Sequence, residues 1–232
     1  MDMCGGLISK ESTLIPINEW MSGGSFDADK YIFRSSKVFE VHAQYSCYLV
    51  AKVLDFLVTT GEAQEPSLKS PGRQQQSYSS KWCEIYACLD DWYKYRPPEL
   101  QAVLSHNAGS ISAGSRSPFP TVLFSNGAAI AGNQLYHTAA LLMLQRIPPK
   151  VPRKSRSFLW HARQICAIAM SNEHHGSWTN SIQPLWLAGQ VMSHPDEHQA
   201  IIEIYQRIEK ETGWGATWRA DDLKEYWGDP DD

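Results

Sequence analysis

Apolar side chains recur at steps of three and four along much of this chain, and proline, glycine and serine fill the gaps between such runs. Residues 37–59 set Phe39, Ala43, Cys47, Val50, Leu54 and Leu57 on one face, which predicts a helix. Residues 61–80 hold Leu68 as their one large aliphatic, and their Gly, Pro, Ser and Gln content predicts a flexible linker or loop. Over 81–95, Trp82, Ile85, Tyr86, Leu89 and Trp92 or Tyr93 share a face, and Arg96-Pro97-Pro98 stops that helix. A turn at Glu99–Leu104 then leads into the polar stretch 105–120.

The second half repeats the pattern more densely. Thr121–Arg146 is helix-like, firmest over Asn133–Leu144, with Gly127 and Gly132 as weak points. Pro148, Pro149 and Pro152 separate it from a helix at 156–171 carrying Leu159, Ala162, Cys166 and Ala169 on one side. Residues 178–192 fit a helix that tolerates Pro184. A long helix starts near Pro195 and ends at Thr212, with Ile201, Ile204 or Tyr205, and Ile208 as its buried stripe. Gly213 suits the left-handed position after it, and Trp214 is expected to fold back on Ile208. A last helix, Ala220–Trp227, groups Leu223, Tyr226 and Trp227. No sustained alternation of strand length is found. The expectation is an all-α, irregular antiparallel helical domain with long polar loops. It divides into an N-terminal helical segment (1–60), a linker or loop (61–80), a helical regulatory domain (81–228) and an acidic tail (229–232).

Composition narrows the function. Hydrophobic residues at 43% and charged residues at 20% favour a packed core over disorder. The formal charge of −4 argues against a general nucleic-acid binder. The segment from Trp218 to Asp232 has six acids against Arg219 and Lys224, so it carries the whole imbalance. Five cysteines without a C-x-x-C pair suggest neither a disulfide framework nor a common zinc spacing. No secretory leader is read at the start, so an intracellular setting is expected. The uncharged stretch Ser117–Gln145 is broken by Ser125, Asn126, Asn133, Gln134 and His137, which favours a buried helix over a bilayer span.

Several motifs invite chemistry. His194-Pro195-Asp196-Glu197-His198 matches H-x-x-E-H, in which two imidazoles one turn apart would hold zinc and the glutamate would act as base. Pro195 favours a different role: it fits a first helical turn, with His194 as the cap. His174-His175 reads as a solvated turn, and His42, His137 and His161 as core-edge or surface histidines within helices. Gly109–Gly114 has the wrong spacing for a nucleophile turn and lacks the Lys-Ser/Thr of a phosphate loop. Arg146, Lys150, Arg153, Lys154 and Arg156 form a basic run suited to nuclear import, phosphate contact or a solvated connection. The acidic–aromatic tail fits an activation segment as well as a packed helix, and packing is the simpler reading.

Residues 158–172, then Pro184-Leu185-x-x-Ala188-Gly189, a glutamate-bearing amphipathic helix, Thr212-Gly213-Trp214 and a closing Leu223-x-x-x-Trp227 occur in fixed order. This C-terminal half resembles the fungal-specific transcription factor domain of zinc binuclear cluster regulators. The resemblance implies a nuclear, regulatory, non-enzymatic role without cofactor or metal, possible control of a metabolic or secondary-metabolite gene set, and protein partners such as a second copy or a co-regulator. Family members carry an upstream six-cysteine zinc cluster that reads DNA. Five scattered cysteines do not build it, so DNA contact is expected only indirectly or through a zinc-cluster domain missing from this chain. The competing expectations are a helical adaptor without transcriptional work and a metallohydrolase using His194, Glu197 and His198.

Overall fold

The computed structural model describes residues 6–7, 13–21, 23–62, 71–107 and 117–228. Among these it is predominantly α-helical. The helices are α1 (Phe26–Ser35), α2 (Phe39–Glu62), α3 (Pro71–Tyr95), α4 (Gly127–Gln145), α5 (Phe158–Ser171), α6 (His175–Gly189), α7 (Pro195–Thr212) and α8 (Thr217–Trp227). None of the described helices is long and apolar enough to cross a membrane.

Helix α4 is the axle. It packs on α2, α3, α5 and α6, and Ala129, Ile130, Asn133, Tyr136, His137, Ala140, Leu141 and Leu144 are all buried. A helix apolar on every side belongs in a core, and its small residues admit close neighbours. Gly132 is one such point: a Cβ there would stand 3.3 Å from the Trp92 ring. Trp82 and Trp92 from α3, Tyr48, Leu49 and Val53 from α2, and Trp178 and Leu185 from α6 complete one continuous core. The N-terminal helix α2 therefore shares its hydrophobic interior with the helices beyond residue 81.

Local chemistry sets the starts and stops. Asn126, Ser157 and Ser25 each accept a backbone N–H at the first turn of α4, α5 and α1, at 2.8, 3.1 and 3.2 Å. Pro195 opens α7 and Gly213 closes it at φ 70°, as the sequence predicts. The Glu209 carboxylate then accepts from the amides of Ala216 and Thr217, both at 2.8 Å, and from the Thr217 hydroxyl at 2.7 Å. These bonds hold the carboxyl below its usual range. One side chain thus ends one helix and starts the next.

The structure differs from the sequence reading in several places, and α1 is absent from that reading altogether. Residues 61–80 are not one loop: α2 runs to Glu62 and α3 starts at Pro71, while 63–70 lie outside the described residues. Tyr78 gives this early turn of α3 its anchor, stacking on Phe56 at 5.1 Å and donating to the Arg146 carbonyl at 2.8 Å. Leu104–His106 (β1) pairs antiparallel with Thr121–Leu123 (β2), opposing Ser105 to Val122. This small ladder is tied to the end of α5, where the Val122 amide donates to Ser171 Oγ and Asn172 Nδ2 donates back to the Val122 carbonyl. So the expected helix from Thr121 begins only at Gly127. Finally, Trp214, expected to fold back on Ile208, stands 53% exposed. Ala216, Ala220 and Leu223 are the buried residues there.

Candidate functional site

The H-x-x-E-H segment is fully employed in structure. His194 Nδ1 accepts the Asp196 amide at 3.2 Å and caps α7. Glu197 is buried and binds Arg163 Nε at 2.8 Å. His198 lies flat on Trp227, centroids 3.7 Å apart, with Nε2 on the Met192 carbonyl at 3.1 Å. The two imidazoles thus face different partners. No group of three or more His, Cys, Asp or Glu able to hold a metal occurs among the described residues. Of the other pair, His174 caps α6 by accepting the Ser177 amide at 3.1 Å, and His175 stacks on Trp178.

His137 and His161 correct the expectation of core-edge or surface positions. They are 2% and 1% exposed, and their Nδ1 atoms face each other at 3.1 Å. One nitrogen must carry the hydrogen and the other the lone pair, so the accepting ring is neutral. Burial holds both rings neutral, with Arg156 adding to the effect at each: His161 is pushed down to about 3 and His137 well below its ordinary value. Around them sit Tyr93, Tyr136 and Trp160, with the Arg156 guanidinium over Tyr93 and Trp160 at 4.4 and 4.6 Å. The pair is a closed structural joint between α4 and α5. Sequence spacing alone gave no sign of it, because the two residues meet only through tertiary packing.

A cleft of 360 Å³ opens where the α1–α2 connection crosses the end of α3. Its mouth holds Arg34, Lys37 and Asp91, and its walls include Phe39, His42, Trp92 and Tyr95. Arg34 pairs with Asp91 at 3.3 Å. Trp92 Nε1 donates to the His42 carbonyl at 2.7 Å, which fixes one wall. Tyr45 and Cys88 line the deeper part, and burial pushes both pKa values up, making them weaker acids. Cys88 is therefore held as a thiol, opposite to an activated nucleophile. Trp92 also stacks on Tyr136 at 5.4 Å, so this wall adjoins the aromatic shell of the histidine pair. Sequence reasoning missed the cleft because its two lining segments are some fifty positions apart.

The basic run divides. Lys154 lies over Tyr86 at 4.7 Å and Arg156 over Tyr93, while Arg146, Lys150 and Arg153 face solvent. In the acidic segment Leu223 is buried, whereas Trp218 and Tyr226 are 47% and 59% exposed. Gly109–Gly114 and residues 229–232 lie outside the described residues.

The model of the fungal specific transcription factor domain matches residues 65–232. The chain belongs to that family. As a fungal specific transcription factor domain it is also similar to the Transcription activator AMTR1 of Alternaria alternata, 22% identical along 96% of this chain and 31% of that protein. The chain therefore spans about a third of the length of this relative. No solved structure matches it. The family match begins before α3 and covers the histidine joint, α7 and α8, while Arg34–Tyr45 of the cleft precede it. Membership gives the domain a transcription-regulatory role.

Proposed function

We propose that this chain is the regulatory (effector) region of a zinc-cluster transcription factor, acting in the nucleus and without catalytic activity of its own. The observation that carries the reading is the family match over 65–232, which takes in α4 and, of the helices packed on it, α3, α5 and α6. The side chains best suited to catalysis support the non-enzymatic part. His194, Glu197 and His198 are held by a cap, an ion pair and a stack, and Cys88 is kept protonated.

DNA contact is assigned to a zinc-cluster domain missing from this chain, or to a partner. The described thiols support this: Cys47 is on α2, Cys83 and Cys88 on α3, and Cys166 on α5, too dispersed for a two-zinc cluster. A second copy or a co-regulator is the proposed protein partner, and a metabolic or secondary-metabolite gene set the proposed target. Fusion of the full chain to a heterologous DNA-binding domain tests the role. A several-fold change in a reporter carrying that domain's sites is expected. A site-selective DNA shift by the unfused chain, or a silent fusion that is nuclear and folded, overturns it.

A further inference from the structure

The cleft beside the α1–α2 connection has the chemistry of a small-molecule site, although no part of the function above depends on it. Its 360 Å³ falls in the lower part of the range in which ligand pockets are found, roughly 300–1,000 Å³. Flat walls come from Phe39, Tyr95 and the His42 ring, which is backed by the buried Trp92 in a stack at 5.6 Å. Such surfaces favour a planar, unsaturated body.

Charge at the mouth selects the other end of the ligand. Arg34 and Asp91 satisfy one another. Lys37 is exposed and no ion pair engages it among the described residues. The rim therefore carries one unmatched positive charge beside an aromatic slot. His42 adds no second charge at neutral pH, since burial lowers its proton affinity. Deeper in, the Tyr45 hydroxyl and Cys88 thiol stay protonated and serve as neutral hydrogen-bond groups.

We propose that this cleft binds a small planar monocarboxylic acid, with its ring system between Phe39, His42 and Tyr95 and its carboxylate at Lys37. The site is built from both sides of the start of the family match, so it is a feature of this chain's own N-terminal helices joined to α3.

Calorimetric titration of the full chain with cinnamate, 2-naphthoate and the neutral cinnamamide tests the assignment. Cinnamate or naphthoate is expected to bind, with cinnamamide about tenfold weaker, because a charge-assisted contact is lost. Lys37→Gln is expected to weaken the acid by a similar factor and leave the amide unchanged. Val38→Trp, at a rim residue 54% exposed, is expected to plug the cleft and abolish both. Both variants lie in the exposed connection, and an unchanged helical circular dichroism spectrum verifies their fold. Equal affinity for acid and amide, unaltered binding by Val38→Trp, or no binding of either acid at low millimolar concentration to the folded chain overturns the proposal. None of these outcomes bears on the reporter test of the transcriptional role.

Discussion

Two pairs of histidines divide the labour of this molecule in opposite ways. His194 and His198 are four positions apart, spell a metal motif and sit at a partly exposed helix start, where each does a separate structural task. His137 and His161 are far apart in sequence and unremarkable in pattern, yet their rings meet in the centre of the core. Proximity along a chain therefore says little about whether two imidazoles act together. Burial and the direction of each Cα–Cβ bond decide it.

The sharpest way to break the contrast is His137→Ala. It empties a site inside Tyr93, Tyr136 and Trp160 and orphans the His161 nitrogen, so a loss of about 3–4 kcal/mol is expected from urea unfolding. A loss below 1 kcal/mol would show that the pair is not a joint.

Acid tests the buried pair next. The buried rings hold fewer protons folded than unfolded. Their stabilising contribution is thus complete above the ordinary histidine value and fades as pH falls toward the folded values, about 3 for His161. Each ring is expected to cost up to about 1.4 kcal/mol per pH unit in this window. Unfolding midpoints measured from pH 7 to pH 5 should fall in the natural chain and fall less steeply in His137→Gln/His161→Gln.

Smaller effects belong to the motif. Glu197→Gln removes a buried carboxylate from Arg163, but that guanidinium is 45% exposed and regains water. A loss of about 1–2 kcal/mol follows, not the larger penalty of a stranded charge. His198→Ala forfeits the Trp227 stack, about 1 kcal/mol by thermal unfolding, and a chelator should leave the midpoint of the natural chain unmoved. His194→Ala, at an exposed cap, comes last at about 0.5 kcal/mol.

Where the sequence was readable, one short signal controlled one local event. Pro195 and Gly213 bracket α7 because a fixed φ and a left-handed residue act within a single turn. The α5 and α6 helices were placed nearly as well, by apolar faces that continue for several turns. Three-residue β2 was invisible, since Val122 alone points inward and its partners, Ser171 and Asn172, come from a distant helix end. The start of α3 was hidden for a related reason: its polar first turns offer no stripe, and Tyr78 finds Phe56 and Arg146 only after folding. The cleft demanded the same long-range knowledge. Motif reading favoured the residues that were adjacent, and the structure joined those that were not.

Gly189 ends α6 against Leu223, where an added Cβ would approach the leucine methyls to 2.6 Å, and its carbonyl accepts the Trp227 indole at 3.0 Å. The two positions are therefore bound in inheritance. Across descendants of this chain, alanine or anything larger at 189 should arise only after a shorter residue has replaced leucine at 223, whereas a shorter residue at 223 needs no earlier change at 189.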